Sequence, residues 1–135
     1  MPITIAWDDA DQTTLLYTTD GNWIWDEFNA VVQQGRQMMD SVPHARVHSI
    51  VDMRQSTLCP PNALSHFARM SMTRHPKTGL MVLVGAGSFI HTLMNMLDGY
   101  QQASASRIRA AHTIEEAQAI VQQYENRFIV QSGSR

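Results

Sequence analysis

Residues 47–70 read VHSIVDMRQSTLCPPNALSHFARM and contain the most informative pattern in the chain. The predominantly apolar run 47–53 predicts a buried strand. Residues 54–59 predict a polar turn, and Pro60 and Pro61 suit the first turn of a helix, where a missing N–H costs nothing. In an α/β domain such a junction is where a ligand, a phosphate or a partner binds.

The patterns on either side of this stretch predict alternating strands and helices. Residues 20–22 read as a turn, and 80–84 is apolar throughout, which is typical of a strand covered on both faces. The order β-β-α-β-α-β-α-β-α predicts an α/β fold with a mixed, mostly parallel five-stranded sheet, its first strand antiparallel at an edge. We expect the strands at 3–7, 13–19, 47–53, 80–84 and 106–111, and the helices at 24–41, 60–72, 88–100 and 113–127.

Composition places the chain among ordinary globular proteins. It has 135 residues, 44% of them hydrophobic, and a net charge of −2, which argues against general nucleic-acid binding. We therefore expect one domain over residues 1–130 and a flexible tail at 131–135. Cys59 is the sole cysteine, so no intrachain disulfide forms, and we expect a reducing, cytoplasmic location. No secretory signal and no apolar run of about 20 residues is visible, so no transmembrane segment is expected.

Charge is distributed unevenly along the chain. Residues 1–40 hold seven of the 12 acidic residues and one of the 10 basic residues, Arg36. The remainder holds five acids and nine bases. This asymmetry either steers a partner or a second copy of the chain, or is solvated surface.

Six segments, in this order, resemble the STAS-like (SpoIIAA-like) family of sporulation anti-sigma-factor antagonists. The resemblance is closer to the bacterial STAS/SEC14-like proteins, covers about residues 3 to 126, and implies a STAS-like α/β fold with a regulatory or binding role and no enzymatic activity. The segments are 21–28 (GNWIWDEF), 50–54 (IVDMR), 60–66 (PPNALSH), 74–76 (RHP), 82–86 (VLVGA) and 113–117 (TIEEA).

The family carries a phosphorylatable serine in an Asp-Ser-Ser/Thr-Gly loop between its third strand and second helix. The corresponding segment here, 56–61, reads STLCPP and has neither the Asp-Ser pair nor the glycine. Ser56 and Thr57 are the nearest hydroxyls, so they are the candidate phosphorylation sites.

The candidate ligand or partner residues fall in two places. In the first, a phosphate could meet Arg54 and the N–H groups of the following helix. Alternatively, the hydroxyls cap that helix while Asp52 pairs with Arg54. In the second place, a glycine-rich turn after a strand suits either a phosphate cradle or tight-turn geometry. The first place comprises Asp52, Arg54, Ser56, Thr57 and Cys59, and the second comprises Gly85, Gly87 and Ser88.

No pattern in the sequence predicts a metal or cofactor site. The six histidines fall on different predicted elements, and none forms a helical His-x-x-x-His pair. Trp23 and Trp25 flank the start of the first helix and suit either a core lid or the rim of a cleft.

Two functions remain open from the sequence. The first is a regulatory or protein-interaction module that recognises a protein partner or a second copy, as a homodimer, near the third strand. The second is a SEC14-like carrier that holds a small apolar or anionic ligand between the sheet and the second and third helices. Cys59 as an enzymatic nucleophile would need a nearby base, and a small packing residue is the plainer interpretation.

Overall fold

A five-stranded mixed sheet forms the centre of the protein. The computed structural model describes residues 3–58, 77–85 and 108–133, with the backbone alone at 56–58 and 128–133. The strand order is β1-β2-β3-β4-β5, in which β1 is antiparallel to β2 and the other pairs are parallel, so the predicted fold class is confirmed. The elements are β1 (Ile3–Trp7), β2 (Thr14–Asn22), α1 (Trp25–Asp40), β3 (Val47–Leu58), β4 (Thr78–Val84), β5 (Ile108–Ala111) and α2 (Ile114–Gly133).

Helix α2 is the fourth helix expected from the sequence. The second and third expected helices, at 60–72 and 88–100, lie outside the described residues. Helix α2 continues to Gly133, beyond its expected end at residue 127 and into the segment 131–135. The division into a domain over 1–130 and a flexible tail stays a prediction.

The two helices cover opposite faces of the sheet. Successive side chains of a strand point to opposite faces, so β3 contributes to both hydrophobic cores. Val51 and Met53 pack in the core that includes Phe28 of α1, whereas Ile50 packs in the core that includes Val121 of α2. Strand β3 is therefore buried from both sides over most of its length.

Strand β3 is five residues longer than the sequence predicts, and β2 continues through residues 20–22. The turn predicted at 20–22 is therefore wrong, and the turn predicted at 54–59 is wrong over its described residues, 54–58. Beyond Asp52 the pairing of β2 with β3 is irregular, with register shifts between Thr18 and Asp20 and between Gly21 and Asn22. Gly21 adopts a φ of +64°, which a glycine tolerates. These irregularities break the period-2 pattern by which a strand is recognised.

Side-chain caps define the helix starts. The Thr113 hydroxyl accepts a hydrogen bond from the Glu116 N–H at 3.0 Å, as the expected capping box requires. At the start of α1 the Glu27 carboxylate accepts the Ile24 N–H at 3.0 Å. Both helices therefore begin where the sequence predicts, within one residue.

The amino-terminal end of α1 rests on a set of aromatic rings. Trp23 is buried, and its ring lies 5.0 Å from that of Trp25 and 5.4 Å from that of Phe28, measured between centroids. Tyr17 of β2 stacks on Phe28 at 5.8 Å. Burial raises the pKa of Tyr17 to about 12, so its hydroxyl stays protonated at physiological pH. Trp23 therefore lies in the core, which is one of the two positions, core lid or cleft rim, that the sequence allowed.

Gly35 of α1 packs directly against side chains of β1 and β2. A Cβ added at Gly35 would lie 2.2 Å from the Tyr17 hydroxyl and 3.1 Å from Cδ1 of Ile5. We expect Gly35→Ala to lower the free energy of unfolding by about 1–3 kcal/mol, because overpacking outweighs the better helix propensity of alanine. Urea denaturation measures the effect.

The matched control places the same substitution in a Tyr17→Phe background. Removing the hydroxyl removes the shortest of these contacts, so Gly35→Ala should cost less there. An equal cost in both backgrounds would show that the Tyr17 hydroxyl does not set the approach of the helix.

Candidate functional site

The candidate residues that the structure describes lie at the carboxyl edge of the sheet. Asp52 and Arg54 belong to β3, and Gly85 directly follows β4, whose last residue, Val84, pairs with Asp52. Ser56 and Thr57 lie in the β3 extension rather than in a loop, and Ser56 pairs with Gly21 of β2. Cys59, Gly87 and Ser88, together with the side chains of Ser56 and Thr57, lie outside the described residues, so their roles stay predictions.

Asp52 and Arg54 form an ion pair with each other. The Asp52 carboxylate accepts the Arg54 backbone N–H at 3.1 Å, Nε at 2.9 Å and Nη2 at 3.0 Å. Asp52 is nearly buried, with 11% of its side chain exposed, whereas 41% of the Arg54 side chain is exposed. The pairing of Asp52 with Arg54 is therefore observed, whereas the helix capping by Ser56 and Thr57 that accompanied it in that alternative stays a prediction.

The electrostatics of this pair disfavour a free anion. The hydrogen bonding of the Arg54 guanidinium to the Asp52 carboxylate is the main reason that the pKa of Arg54 is raised, and the charges of Asp52 and Glu115 raise it further. A phosphate that approached Arg54 would have to compete with Asp52 and would meet the negative charge of Glu115. A half-exposed, fixed guanidinium of this kind suits a polar contact with a protein surface better.

A second polar cluster, which was not predicted from the sequence, lies at the amino edge of the sheet. His48 of β3 is buried, with 1% of its side chain exposed, and its ring lies edge-on to Tyr124 of α2 at 5.6 Å. Its Nε2 lies 2.6 Å from Oε1 of Glu125, and its Nδ1 accepts the Leu80 backbone N–H at 3.0 Å. His48 therefore joins β3, β4 and α2.

These bonds fix the tautomer of His48. Because Nδ1 accepts an N–H, the ring proton sits on Nε2 and is donated to Glu125. Burial lowers the pKa of His48, and the hydrogen bond to Glu125 opposes that shift. Both ring nitrogens are thus engaged, which leaves neither to bind a metal or to take a proton from a substrate.

Glu125 is shared between His48 and Arg46. Arg46 donates from Nε at 3.1 Å and from Nη2 at 3.0 Å to the two carboxylate oxygens. The hydrogen bond from Arg46 is the largest reason that the pKa of Glu125 is lowered, and His48 lowers it further. Glu125 lies 77 residues from His48 in the chain, so no local pattern connects them. The only signal was a histidine inside an apolar strand.

The remaining described residues do not assemble a metal site. No group of three or more His, Cys, Asp or Glu side chains within 3–58, 77–85 and 108–133 could hold a metal ion. His44 lies 2.8 Å through Nε2 from the Asp11 carbonyl, which fixes the loop after α1 against the β1–β2 turn. Neither of the two described helices is long and apolar enough to cross a membrane.

Comparison with known proteins supports the fold and does not assign a family. No family model and no curated protein matches the chain. A solved structure of an uncharacterised protein from the DUF3478 family with a SpoIIAA-like fold, from Shewanella loihica PV-4, matches with a TM-score of 0.59. The match covers 87% of this chain and 90% of that one at 8% identity, so it shows the fold alone. The SpoIIAA-like fold implied by the sequence resemblance is therefore confirmed.

The Asp52–Arg54 pair predicts a measurable coupling. We expect Asp52→Ala to lower the free energy of unfolding by about 1–2 kcal/mol, because an acceptor of three hydrogen bonds is lost. Arg54→Ala should also destabilise, because it leaves a nearly buried carboxylate with fewer donors. The double variant should cost about 1 kcal/mol less than the sum of the single variants, as is usual for a partly exposed pair. Urea denaturation of the unaltered protein and the three variants measures this coupling. Additive losses of unfolding free energy would contradict it.

Proposed function

We propose that this protein is a non-enzymatic regulatory or protein-interaction module of STAS-like type, which recognises its partner at the carboxyl edge of the sheet. The observation that carries the proposal is the Asp52–Arg54 pair, in which a half-exposed guanidinium towards the carboxyl end of β3 is fixed by two hydrogen bonds to the carboxylate. A preorganised arginine suits a protein contact, because little side-chain freedom is lost on binding.

The absence of enzymatic activity is part of this proposal. Catalysis by an acid or base needs a titratable group that is free to exchange a proton with a substrate. Within the described part of the chain, the buried histidine is engaged at both ring nitrogens and Asp52 is engaged by Arg54. These engagements support a binding role.

Phosphorylation at Ser56 or Thr57 would act as a switch on this surface. Gln55 pairs with Asp20 of β2, and both residues are exposed. A phosphoryl group on either of the next two residues would add negative charge to the end of β3 that carries Arg54. It would thus compete for Arg54 and weaken a partner that contacts that guanidinium.

The module is proposed to work in the cytoplasm and to bind either a different protein or a second copy of itself. Its sole cysteine, Cys59, fits a reducing compartment. The SEC14-like carrier is not favoured by any described contact, because its ligand would lie against the segments 60–72 and 88–100, outside the described residues.

Photocrosslinking tests the recognition surface directly. A photoreactive amino acid at exposed Gln55 should capture the partner, whereas the same amino acid at exposed Gln123 on α2 should not. Gln123 is a matched control because it replaces the same residue type at an exposed position away from the carboxyl end of β3. Capture from Gln123 alone would place the interaction elsewhere.

Affinity for the captured partner then tests Arg54. We expect Arg54→Ala to weaken binding about tenfold, since a contact of this kind is worth about 1.4 kcal/mol. Arg127→Ala on α2 serves as the control, since it removes an exposed arginine without touching the site. The proposal fails if Arg54→Ala and the double variant Ser56→Ala, Thr57→Ala both bind with unchanged affinity. Sedimentation of the same proteins shows whether the partner is a second copy.

A further inference from the structure

The pairing of β3 with β4 contains an extra residue opposite His48. Val47 pairs with Thr78 and Ser49 pairs with Met81, so β3 advances by two residues while β4 advances by three. Gly79 and Leu80 therefore share the position opposite His48, which is a β-bulge. A bulge leaves a backbone group without its ladder partner, and here the Leu80 N–H is bonded to the Nδ1 of His48 instead.

The packing around the imidazole admits little displacement of the ring. A Cβ added at Gly79 would lie 2.3 Å from Nδ1 and 2.6 Å from Cε1 of His48, so the ring lies directly against the Gly79 backbone. Protonation would place an N–H on Nδ1 facing the Leu80 N–H at 3.0 Å. Two donors cannot share that position, so the protonated ring and the bulge are incompatible in this geometry.

Lys77, the residue directly before β4, connects this strand to the end of α1. The Lys77 carbonyl accepts the Val47 N–H at 2.8 Å. The Lys77 ammonium donates to the carbonyls of Met39 at 3.1 Å and Val42 at 2.6 Å, where α1 ends. A displacement of residues 77–80 would therefore reach α1 as well as the sheet.

The groups that face His48 set the direction of its response to pH. Glu125 and Tyr124 face it from α2, Arg46 acts on it from the residue directly before β3, and Asp9 contributes from the β1–β2 turn. Glu125 and Asp9 favour the charged ring, whereas Arg46 and burial oppose it, and burial is the largest effect. The neutral ring is therefore the form that the folded protein holds.

We propose that His48 is a pH-sensitive pin for the amino end of β4, and that protonation of its Nδ1 releases the Leu80 N–H and loosens residues 77–80 before the rest of the sheet opens. This device goes beyond the proposed function, because it lies at the edge of the sheet opposite the recognition surface.

The sign of the pH dependence follows from proton binding. Burial holds the pKa of His48 below its ordinary value of 6.5 in the closed form, and opening of residues 77–80 hydrates the ring and moves its pKa back towards that value. Below that pH the open form binds more protons, so opening becomes more favourable as the pH falls. The pKa of Glu125 is held below its ordinary 4.5, so Glu125 stays ionised between about pH 5 and pH 8. Within this pH window the charge of Glu125 stays constant, so it does not contribute to the pH dependence attributed to His48.

Hydrogen exchange of single backbone amides tests the pin. Between about pH 7.5 and pH 5.5, after correction for the intrinsic exchange rate, the protection of the Leu80 amide should fall by up to about tenfold for each pH unit below 6.5. The amides of Val82 and Leu83 in the same strand should change much less. Protection of Leu80 that is independent of pH overturns the proposal, and so does an equal fall at all three amides, which would indicate global unfolding.

A non-titrating side chain provides the variant test. His48→Asn places an amide oxygen close to the position of Nδ1 and should abolish the pH dependence at Leu80, whereas His112→Gln, at an exposed histidine, should leave it unchanged. If His48→Asn does not fold, nitrogen chemical shifts of the His48 ring in the unaltered protein still decide. The proposal requires an unprotonated Nδ1 and a protonated Nε2 at about pH 7.5, and the opposite tautomer overturns it.

Discussion

The pairing of β3 with parallel neighbours on both sides is the constraint on which the rest of the structure depends. Strand β3 is the middle strand of the sheet, and its side chains enter the core beneath α1 and the core beneath α2. Because the strands from β2 to β5 are parallel, the carboxyl ends of β3 and β4 meet at one edge and their amino ends meet at the other. The polar clusters of Asp52 with Arg54 and of Arg46, His48 and Glu125, one at each edge, follow from this arrangement.

Sequence patterns predicted the elements well wherever the period was regular. Helix α1 and the start of α2 were found because apolar spacing and a Thr113 cap mark them, and the sheet followed from element order. The β3 extension was missed because the strand is irregular beyond Asp52, where Arg54 and Gln55 are exposed in succession. The alternation on which strand recognition relies is absent there.

The candidate site was predictable in position but only partly in chemistry. Asp52 and Arg54 are two residues apart on one strand, so their pairing was among the alternatives that the sequence offered. The polar cluster of Arg46, His48 and Glu125 was not predictable. Glu125 lies 79 positions from Arg46 and 77 positions from His48 in the chain, and only tertiary packing brings them together. The bulge at Gly79 was equally invisible, because a strand-length apolar run does not reveal its register.

The extension of β3 also has a dynamic consequence. Up to Asp52 the strand is hydrogen-bonded on both sides, but among the strands that the structure describes only β2 pairs with the residues beyond it. Backbone held on one side opens at a lower free energy than backbone held on both. The segment of β3 beyond Arg54, which carries Ser56 and Thr57, can therefore fluctuate as a local unit while the middle of the sheet and the Asp52–Arg54 pair stay closed.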